Sequence, residues 1–375
     1  MRYFLSAGEA SGDVHASHLI AAIKRHDKEA EFEFLGGDLM ASAAGKEPVI
    51  HYRHMAYMGF SEVLRHLREI LGNFGTAKRA LTRFNPDALV LVDYPSFNLK
   101  LAEYARKHNI AVYYFIVPKV WAWKEWRVKA LRRNVKKLLS ILPFEVAYFR
   151  WHNVDVEYVG NPSVEEVDSR LSLMEPLTVF RTRHNLDDRP ILAIVPGSRK
   201  GEIRNNLPVM EGVARLHPKL QAVVAAAPGI DADFYSGYTS LPVINSSTLE
   251  LMHAAEVALV TSGTATLECA LAGTPQVACY RANGKKLSYN IMRRIIKLDY
   301  VTLPNLIADQ KVIPEMLVHQ CTVENVNAEL EKLLPGKEGR AQQLHGYEIV
   351  REKLGTEHAA DNAARILCRS LLGHD

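Results

Sequence analysis

The chain has 375 residues, 48% of them hydrophobic, more than one ordinary domain holds and enough for two full cores. A formal net charge of +4 excludes a molecule-wide polyanion binder. The four cysteines, Cys269, Cys279, Cys321 and Cys368, form no metal-type pair and read as small core residues in a reducing cytosol. The first residues lack a basic region, and Glu9 interrupts their short apolar run, so no signal peptide is expected. No segment is apolar for long enough to span a bilayer.

Residues 3–5 read as a strand, followed by the turn SAGEASGDVHA and a helical pattern through Leu19, Ile20 and Ile23. Gly8 and Gly12 allow a tight turn and a close approach to a ligand. Glu9 and Asp13 are acids where a plain phosphate loop would avoid them. They suit hydroxyls or a proton-transfer site, or else a helix N-terminus that favours acids. His15 stands beside them, either as a turn histidine or as a catalyst. Residues 32–35 read as the second strand. Residues 55–74 carry Met58 and Phe60 and an apolar stripe at Val63, Leu67, Ile70 and Leu71. Such a stripe is usually a core face, but its Met-rich start also suits a lipid chain.

Residues 88–92 form a fully apolar strand that ends in Asp93-Tyr94-Pro95-Ser96-Phe97-Asn98. In open parallel sheets, ligands bind beyond the carboxyl ends of strands. Asp93 is the first residue past such an end, placed to act as a general base if partly buried, or else as a helix cap. Residues 111–117 read as the next strand. Residues 119–137 then hold eight basic residues, among them Lys124, Arg127 and Arg132, against one acid, Glu125. Trp121, Trp123 and Trp126 lie among them, and Val128, Leu131, Val135, Leu138 and Leu139 keep helical spacing. Basic residues interleaved with tryptophans suit an anionic membrane surface or an anionic substrate. Nucleic acid is the competitor, but the charge is confined to one segment and no recognition motif accompanies it. Residues 138–142 and 157–159 supply the last strands of this half.

Residues 161–190 read as an acid-rich linker. Residues 191–195 open a second α/β half, and 222–227, 242–244, 257–260 and 276–280 continue its strands. Two of its turns suit an anion. Gly197-Ser198-Arg199 offers backbone donors and a guanidinium. Ser262-Gly263-Thr264 leads into a helix over 265–272, whose N-terminus favours phosphate. Glu268, one turn inside that helix, suits either hydrogen bonds from a ribose diol or a plain answer to the helix dipole. Thr266, Arg281 and Asn305 complete this candidate binding set, which the family resemblance given below makes a UDP site. Two amphipathic helices, through Leu344 and Leu354 and through Ala359 and Leu367, finish the chain.

The motifs SAGEASGD, DYPSFN at Asp93, VWAW at Trp121, LPFE at Glu145, PGSRKGE at Arg199, SGTATLE at Ser262 and DYVTLPN at Asp299 stand in the order and spacing of one family. On them the chain resembles the lipid-A-disaccharide synthases, to about residue 310. The resemblance implies a GT-B fold: two Rossmann-like domains facing across a cleft, with C-terminal helices packing back toward the first. The expected divisions are 1–165 for the acceptor and membrane side, 166–345 for UDP-sugar binding, and 346–375 for a helical tail. It also implies an inverting, metal-independent transfer with no cofactor, from UDP-2,3-diacylglucosamine to the 6-hydroxyl of 2,3-diacylglucosamine 1-phosphate. The products would be a β-1,6 tetraacyldisaccharide 1-phosphate and UDP. Catalysis is expected from Asp93 with Glu9, Asp13 and His15. Acceptor, lipid or membrane contacts are expected from Met58, Phe60, Asn98, Trp121, Trp123, Lys124, Trp126, Arg127 and Arg132. Tyr94 and Ser96 depart from what the family often carries, which touches acyl or acceptor preference more than chemistry. The resemblance places the enzyme in the cytoplasm, peripherally on the inner face of the inner membrane, with no nucleic-acid partner; a homodimer is compatible with it. The alternatives are a UDP-sugar epimerase, or a non-catalytic nucleotide-sugar or lipid-binding protein on the same fold.

Overall fold

The structure is a computed structural model and describes residues 1–55, 67–123, 125–281 and 299–373. Met58, Phe60, Val63 and Lys124, and the side chains of Leu67 and Trp123, lie outside that description. The chain divides into two compact units, residues 1–162 with 356–375 and residues 163–355.

The first unit is built on a parallel sheet of seven strands: β1 (Arg2–Ala7), β2 (Glu31–Gly36), β3 (Ile50–His51), β4 (Ala88–Val92), β5 (Ala111–Phe115), β6 (Lys137–Ser140) and β7 (Val156–Tyr158). Their spatial order is β3-β2-β1-β4-β5-β6-β7. The central strands are apolar throughout because both faces are covered. Along them successive residues alternate between two cores: Phe4, Leu89, Leu91 and Tyr114 face one, and Tyr3, Leu5, Val90 and Tyr113 the other. The helices Leu67–Phe84 and Pro95–Lys107 cover the first core, while Ala10–His26 and the last helix, Ala359–Leu371, cover the second. Tyr113 donates to Ser370 Oγ at 2.8 Å, fastening that last helix to the sheet. The apolar stripe read over residues 63–71 is not all core, since Leu71 is 60% exposed.

The second unit repeats the plan with β8 (Ile191–Val195), β9 (Gln221–Ala225), β10 (Val243–Ile244), β11 (Val257–Thr261), β12 (Gln276–Tyr280) and β13 (Glu315–Leu317). Its order is β10-β9-β8-β11-β12-β13, all parallel. The helix Glu338–Leu354 belongs to this unit: Gln343 and Tyr347 bond to Gln276 and to the carbonyl of Thr274. Residues 161–190, read as a linker, instead hold the helices Pro162–Leu171 and Leu177–Arg183, which bury Val164, Val167 and Phe180. Val164, Val167 and Leu171 do keep a helical i, i+3, i+7 spacing, but it spans only two turns and the acids between them outweigh it.

Both sheets run outward in two directions from a central pair, β1 and β4 in the first and β8 and β11 in the second. At such a switch point the helices leave to opposite faces, and the crevice beyond the strand ends is where doubly wound sheets hold ligands.

Candidate active site

At the switch point of the first unit, Ala7 pairs with Val92, so Gly8 and Asp93 leave adjacent strands side by side. The chain turns sharply there. Asp93 and Tyr94 both have positive φ, 43° and 49°, a conformation that costs about 1 kcal/mol or more for a residue with a Cβ. Two side chains hold the turn open. The Asp93 carbonyl accepts from Tyr114 OH at 2.6 Å and from Asn98 Nδ2 at 2.7 Å. Tyr94 OH donates to the Met55 carbonyl at 2.6 Å. A Cβ on Gly8 would lie 2.3 Å from the Tyr94 ring, so only glycine fits beneath it. Burial raises the Asp93 carboxyl above its ordinary range, against the Tyr94 N–H and the nearby Lys119 ammonium, which pull it down. The result is a partly buried carboxylate fixed by its backbone at the carboxyl edge of the sheet, as a general base requires.

Glu145, two strands farther along, is a group that the sequence motif contained but that no residue-level argument singled out. It lies in the first turn of the helix Pro143–Trp151 and is 1% exposed. Its carboxylate accepts from Trp121 Nε1 at 2.8 Å and from the Ser140 hydroxyl. Burial pushes it up to about 7, against those two bonds and Lys119. Lys119 thus acts on both Asp93 and Glu145.

Several expected site residues are instead internal braces. Asp13 is buried and accepts from the N–H groups of Gly37, Leu39 and Met40 at 2.7–3.2 Å, so it caps the helix Asp38–Ala44. Asn98 is fully buried and accepts from Ser6 Oγ at 2.7 Å while donating to the Asp93 carbonyl; it shapes the turn without facing a ligand. Trp121 turns its indole N–H to Glu145 and its ring to Phe144, 4.9 Å away, not to solvent. His15 is half-buried and lowered to about 4 by burial and by His18 beside it, which leaves it neutral and weakly basic at pH 7. Glu9 is the half-buried N-cap residue of the helix Ala10–His26. Trp126 is 68% exposed and Arg132 is exposed, whereas Arg127 is buried.

At the switch point of the second unit, Val195 pairs with Val260, which sets the turns Gly197-Ser198-Arg199 and Ser262-Gly263-Thr264 next to each other. One residue, unremarked in the sequence, ties the strand ends together. Asn206 is fully buried; its Nδ2 donates to the Pro196 carbonyl at 3.1 Å and to Thr261 Oγ1 at 2.9 Å. Its Oδ1 accepts from Arg281 N–H at 2.7 Å. The ends of β8, β11 and β12 are thereby held by a single amide. Gly197 has φ 126°, and a Cβ there would meet Glu202 at 2.7 Å. Glu202 accepts from Ser198 N–H at 3.1 Å and lies 3.5 Å from the exposed Arg199 guanidinium. Ser262, Gly263 and Thr264 are at least partly exposed. Glu268 is half-buried and raised, chiefly by burial and then by Glu166, with Arg170 opposing.

Two members of the expected UDP set are braces. Thr266 is buried and donates to the Gly263 carbonyl at 2.7 Å, fixing the glycine turn. Asn305 is fully buried and its whole amide is engaged: it donates to Ile313 O and Glu315 Oε1 and accepts from the N–H groups of Val312 and Ile313. In this arrangement its side chain fastens the loop 312–315 to the helix Leu303–Ala308.

Two Rossmann-like units, each with its candidate residues at the switch point, define the GT-B class. Solved structures agree. The UDP-GlcNAc 2-epimerase from Neisseria meningitidis, bound to UDP-GlcNAc, superposes with a TM-score of 0.66 over all of both chains at 13% identity. CalG4, the calicheamicin glycosyltransferase, gives 0.57 over 100% of this chain and 98% of its own at 15% identity. At those identities the likeness is one of fold. The chain belongs to the lipid-A-disaccharide synthase family: the family model described as Lipid-A-disaccharide synthetase matches residues 3–367. Curated relatives include the lipid-A-disaccharide synthases of Myxococcus xanthus, 38% identical over 97% of this chain and 96% of that one, and of Koribacter versatilis, 35% identical over 99% and 98%. It is therefore an enzyme, a glycosyltransferase of lipid A biosynthesis. Among the described residues no helix is long and apolar enough to cross a membrane.

Proposed function

We propose that the enzyme transfers 2,3-diacylglucosamine from UDP to the 6-hydroxyl of 2,3-diacylglucosamine 1-phosphate, with inversion at the anomeric carbon. In this reading the second unit binds the UDP group. The Gly197-Ser198-Arg199 and Ser262-Gly263-Thr264 turns meet the diphosphate with backbone N–H groups and the Arg199 guanidinium, and Glu268 meets the ribose. The first unit takes the acceptor and supplies the base. As the 6-oxygen bonds to the anomeric carbon, the bond to the UDP oxygen breaks and UDP leaves with its electron pair. The hydroxyl proton passes to Asp93. The negative charge that develops on the diphosphate is met by donors already in place, and we assign no metal or cofactor to the step. The exposed Trp126 and the basic residues 119–137 suit peripheral attachment to the anionic inner face of the inner membrane, where both acylated substrates reside.

The observation that carries the reading is the fixed Asp93 turn: a raised carboxylate at the switch point, its backbone held by Tyr114 and Asn98. The test is a mass-spectrometric assay with both acylated sugars. The wild type should form the tetraacyl disaccharide phosphate, and Asp93→Asn should lower turnover by about 10²–10⁴ while UDP affinity stays normal. Turnover of Asp93→Asn within a few-fold of wild type would move the base elsewhere. Consumption of the UDP-sugar without an acceptor would favour an epimerase.

A further inference from the structure

Arg127 is the least expected charge in the first unit. It ends the short turn Glu125–Arg127 and is only 9% exposed. Its Nη2 lies 3.3 Å from Ser96 Oγ, and its Nε is buried with no hydrogen-bond partner among the described residues. The Trp126 ring stacks on it at 5.5 Å. The ionisable oxygen acting on it is the Tyr114 phenol, which burial keeps neutral and whose proton is given to the Asp93 carbonyl. Several more exposed arginines have a carboxylate: Arg83 pairs with Glu33, Arg170 with Glu250, Arg340 with Glu256 and Arg351 with Asp168. Arg127 is more buried than any of these and has none among the described residues. A buried guanidinium without a counter-charge is costly, and burial accordingly lowers its proton affinity.

The guanidinium also points at a helix end. Ser96 is the second residue of the helix Pro95–Lys107, thirteen residues long. Its N-cap residue, Tyr94, makes no capping bond with its side chain. The first-turn N–H groups of such a helix have no partner inside it, and its dipole favours an anion there. A buried guanidinium short of one partner, the Ser96 hydroxyl that its Nη2 reaches and a helix N-terminus therefore meet three residues from Asp93.

We propose that Arg127, Ser96 and the N-terminus of the helix Pro95–Lys107 form a binding site for a phosphate monoester, and that it receives the 1-phosphate of the acceptor. The second half of this statement rests on the function proposed above; the first does not. A phosphate dianion supplies the charge that Arg127 lacks, and its oxygens match the Nε and Nη donors of the fork. The site would select acceptors that carry the phosphate and anchor them beside the Asp93 turn.

The test measures binding of acceptor directly, without donor, so that it does not depend on turnover. Three proteins are compared: wild type, Ser96→Asp and Arg127→Gln. Ser96→Asp places a carboxylate against Arg127 and should fold at least as well as wild type, as its urea midpoint will show. Wild type should bind 2,3-diacylglucosamine 1-phosphate at least tenfold more tightly than the same sugar without its phosphate. Inorganic phosphate should compete with the former. Both variants should lose that preference and the competition, while UDP affinity stays within twofold. Retained preference in a folded Ser96→Asp protein overturns the proposal. If the variants instead lose affinity only for vesicles containing phosphatidic acid, the phosphate belongs to a membrane lipid and the acceptor assignment is overturned. Failure of the wild type to make disaccharide would sink the proposed reaction but leave these binding results to judge the site.

Discussion

Replacing Glu145 by Gln should stabilise the first unit at neutral pH and leave it nearly unchanged in acid. The Glu145 carboxyl is pushed up from 4.5 to about 7, mainly by burial. A raised carboxyl binds its proton more tightly in the folded state than in the unfolded one. Below about pH 4.5 both states are protonated and the residue carries no penalty. Between 4.5 and about 7 only the unfolded state has ionised, so stability falls by about 1.4 kcal/mol per pH unit. Above about 7 the loss is complete, at about 3 kcal/mol. Gln keeps an amide oxygen for the Trp121 indole and cannot ionise. The difference in unfolding free energy, Glu145→Gln minus wild type, should therefore grow by about 2–3 kcal/mol between pH 5 and pH 8. Taking the difference cancels the other titrating groups. The assay is urea unfolding followed by tryptophan fluorescence at several pH values. All four tryptophans, Trp121, Trp123, Trp126 and Trp151, belong to the first unit, so the signal reports that unit alone. A difference that is flat with pH, or that shrinks as pH rises, would refute the argument.

Asn206→Ala should remove the brace at three strand ends, at a cost of about 2–4 kcal/mol for the groups left unpaired. It should weaken UDP binding more than a core variant of equal stability loss, such as Val213→Ala; equal weakening in calorimetry would make Asn206 merely structural. Arg199→Ala should cost about 1.5–3 kcal/mol in UDP affinity, the range for hydrogen bonds to charged groups. Glu268→Gln should reduce affinity for UDP but not for inorganic diphosphate, and unchanged UDP titrations for both variants would remove the second unit from the donor site. Sedimentation with anionic vesicles should fall sharply as salt is raised, since each basic residue near the surface contributes about 1 kcal/mol and is screened; equal binding to neutral vesicles would contradict this.

The long strands were legible because each is an apolar run between turn residues: residues 88–92, 191–195 and 276–280 coincide with β4, β8 and β12. The edge strands β3 and β13 were not, being two and three residues long and partly exposed. Asp93 could be found from its place after an apolar strand, since a parallel sheet puts that position at its carboxyl edge. Asn206 could not. It lies inside a helix, and its role depends on three turns that only the sheet order brings together. The engagement of Asn305 was hidden for the converse reason: a polar residue in a late loop looks available until its loop is seen folded around it. Glu145 stood in a recognisable motif, but its raised carboxyl follows from burial, which a motif does not state.

The first sheet concentrates its costs along one edge. Asp93, Tyr94 and Ile116 all have positive φ just past the ends of β4 and β5, and Ile116 is β-branched, for which that conformation is a genuine outlier. Asp93, Glu145 and Arg127 are charges withdrawn from water at the same edge. The corresponding edge of the second sheet is made differently, from glycine turns, hydroxyls and the Asn206 amide. Strain and desolvated charge lower stability wherever they occur and persist where function needs them. A diphosphate can be held by backbone donors, which cost little to keep in place. Moving a proton requires a carboxylate held away from water, and recognising a small anion calls for a cation that water does not already satisfy. Under the function proposed above, that uneven distribution of cost matches a division of labour, with proton transfer and acceptor recognition assigned to the first unit and diphosphate binding to the second.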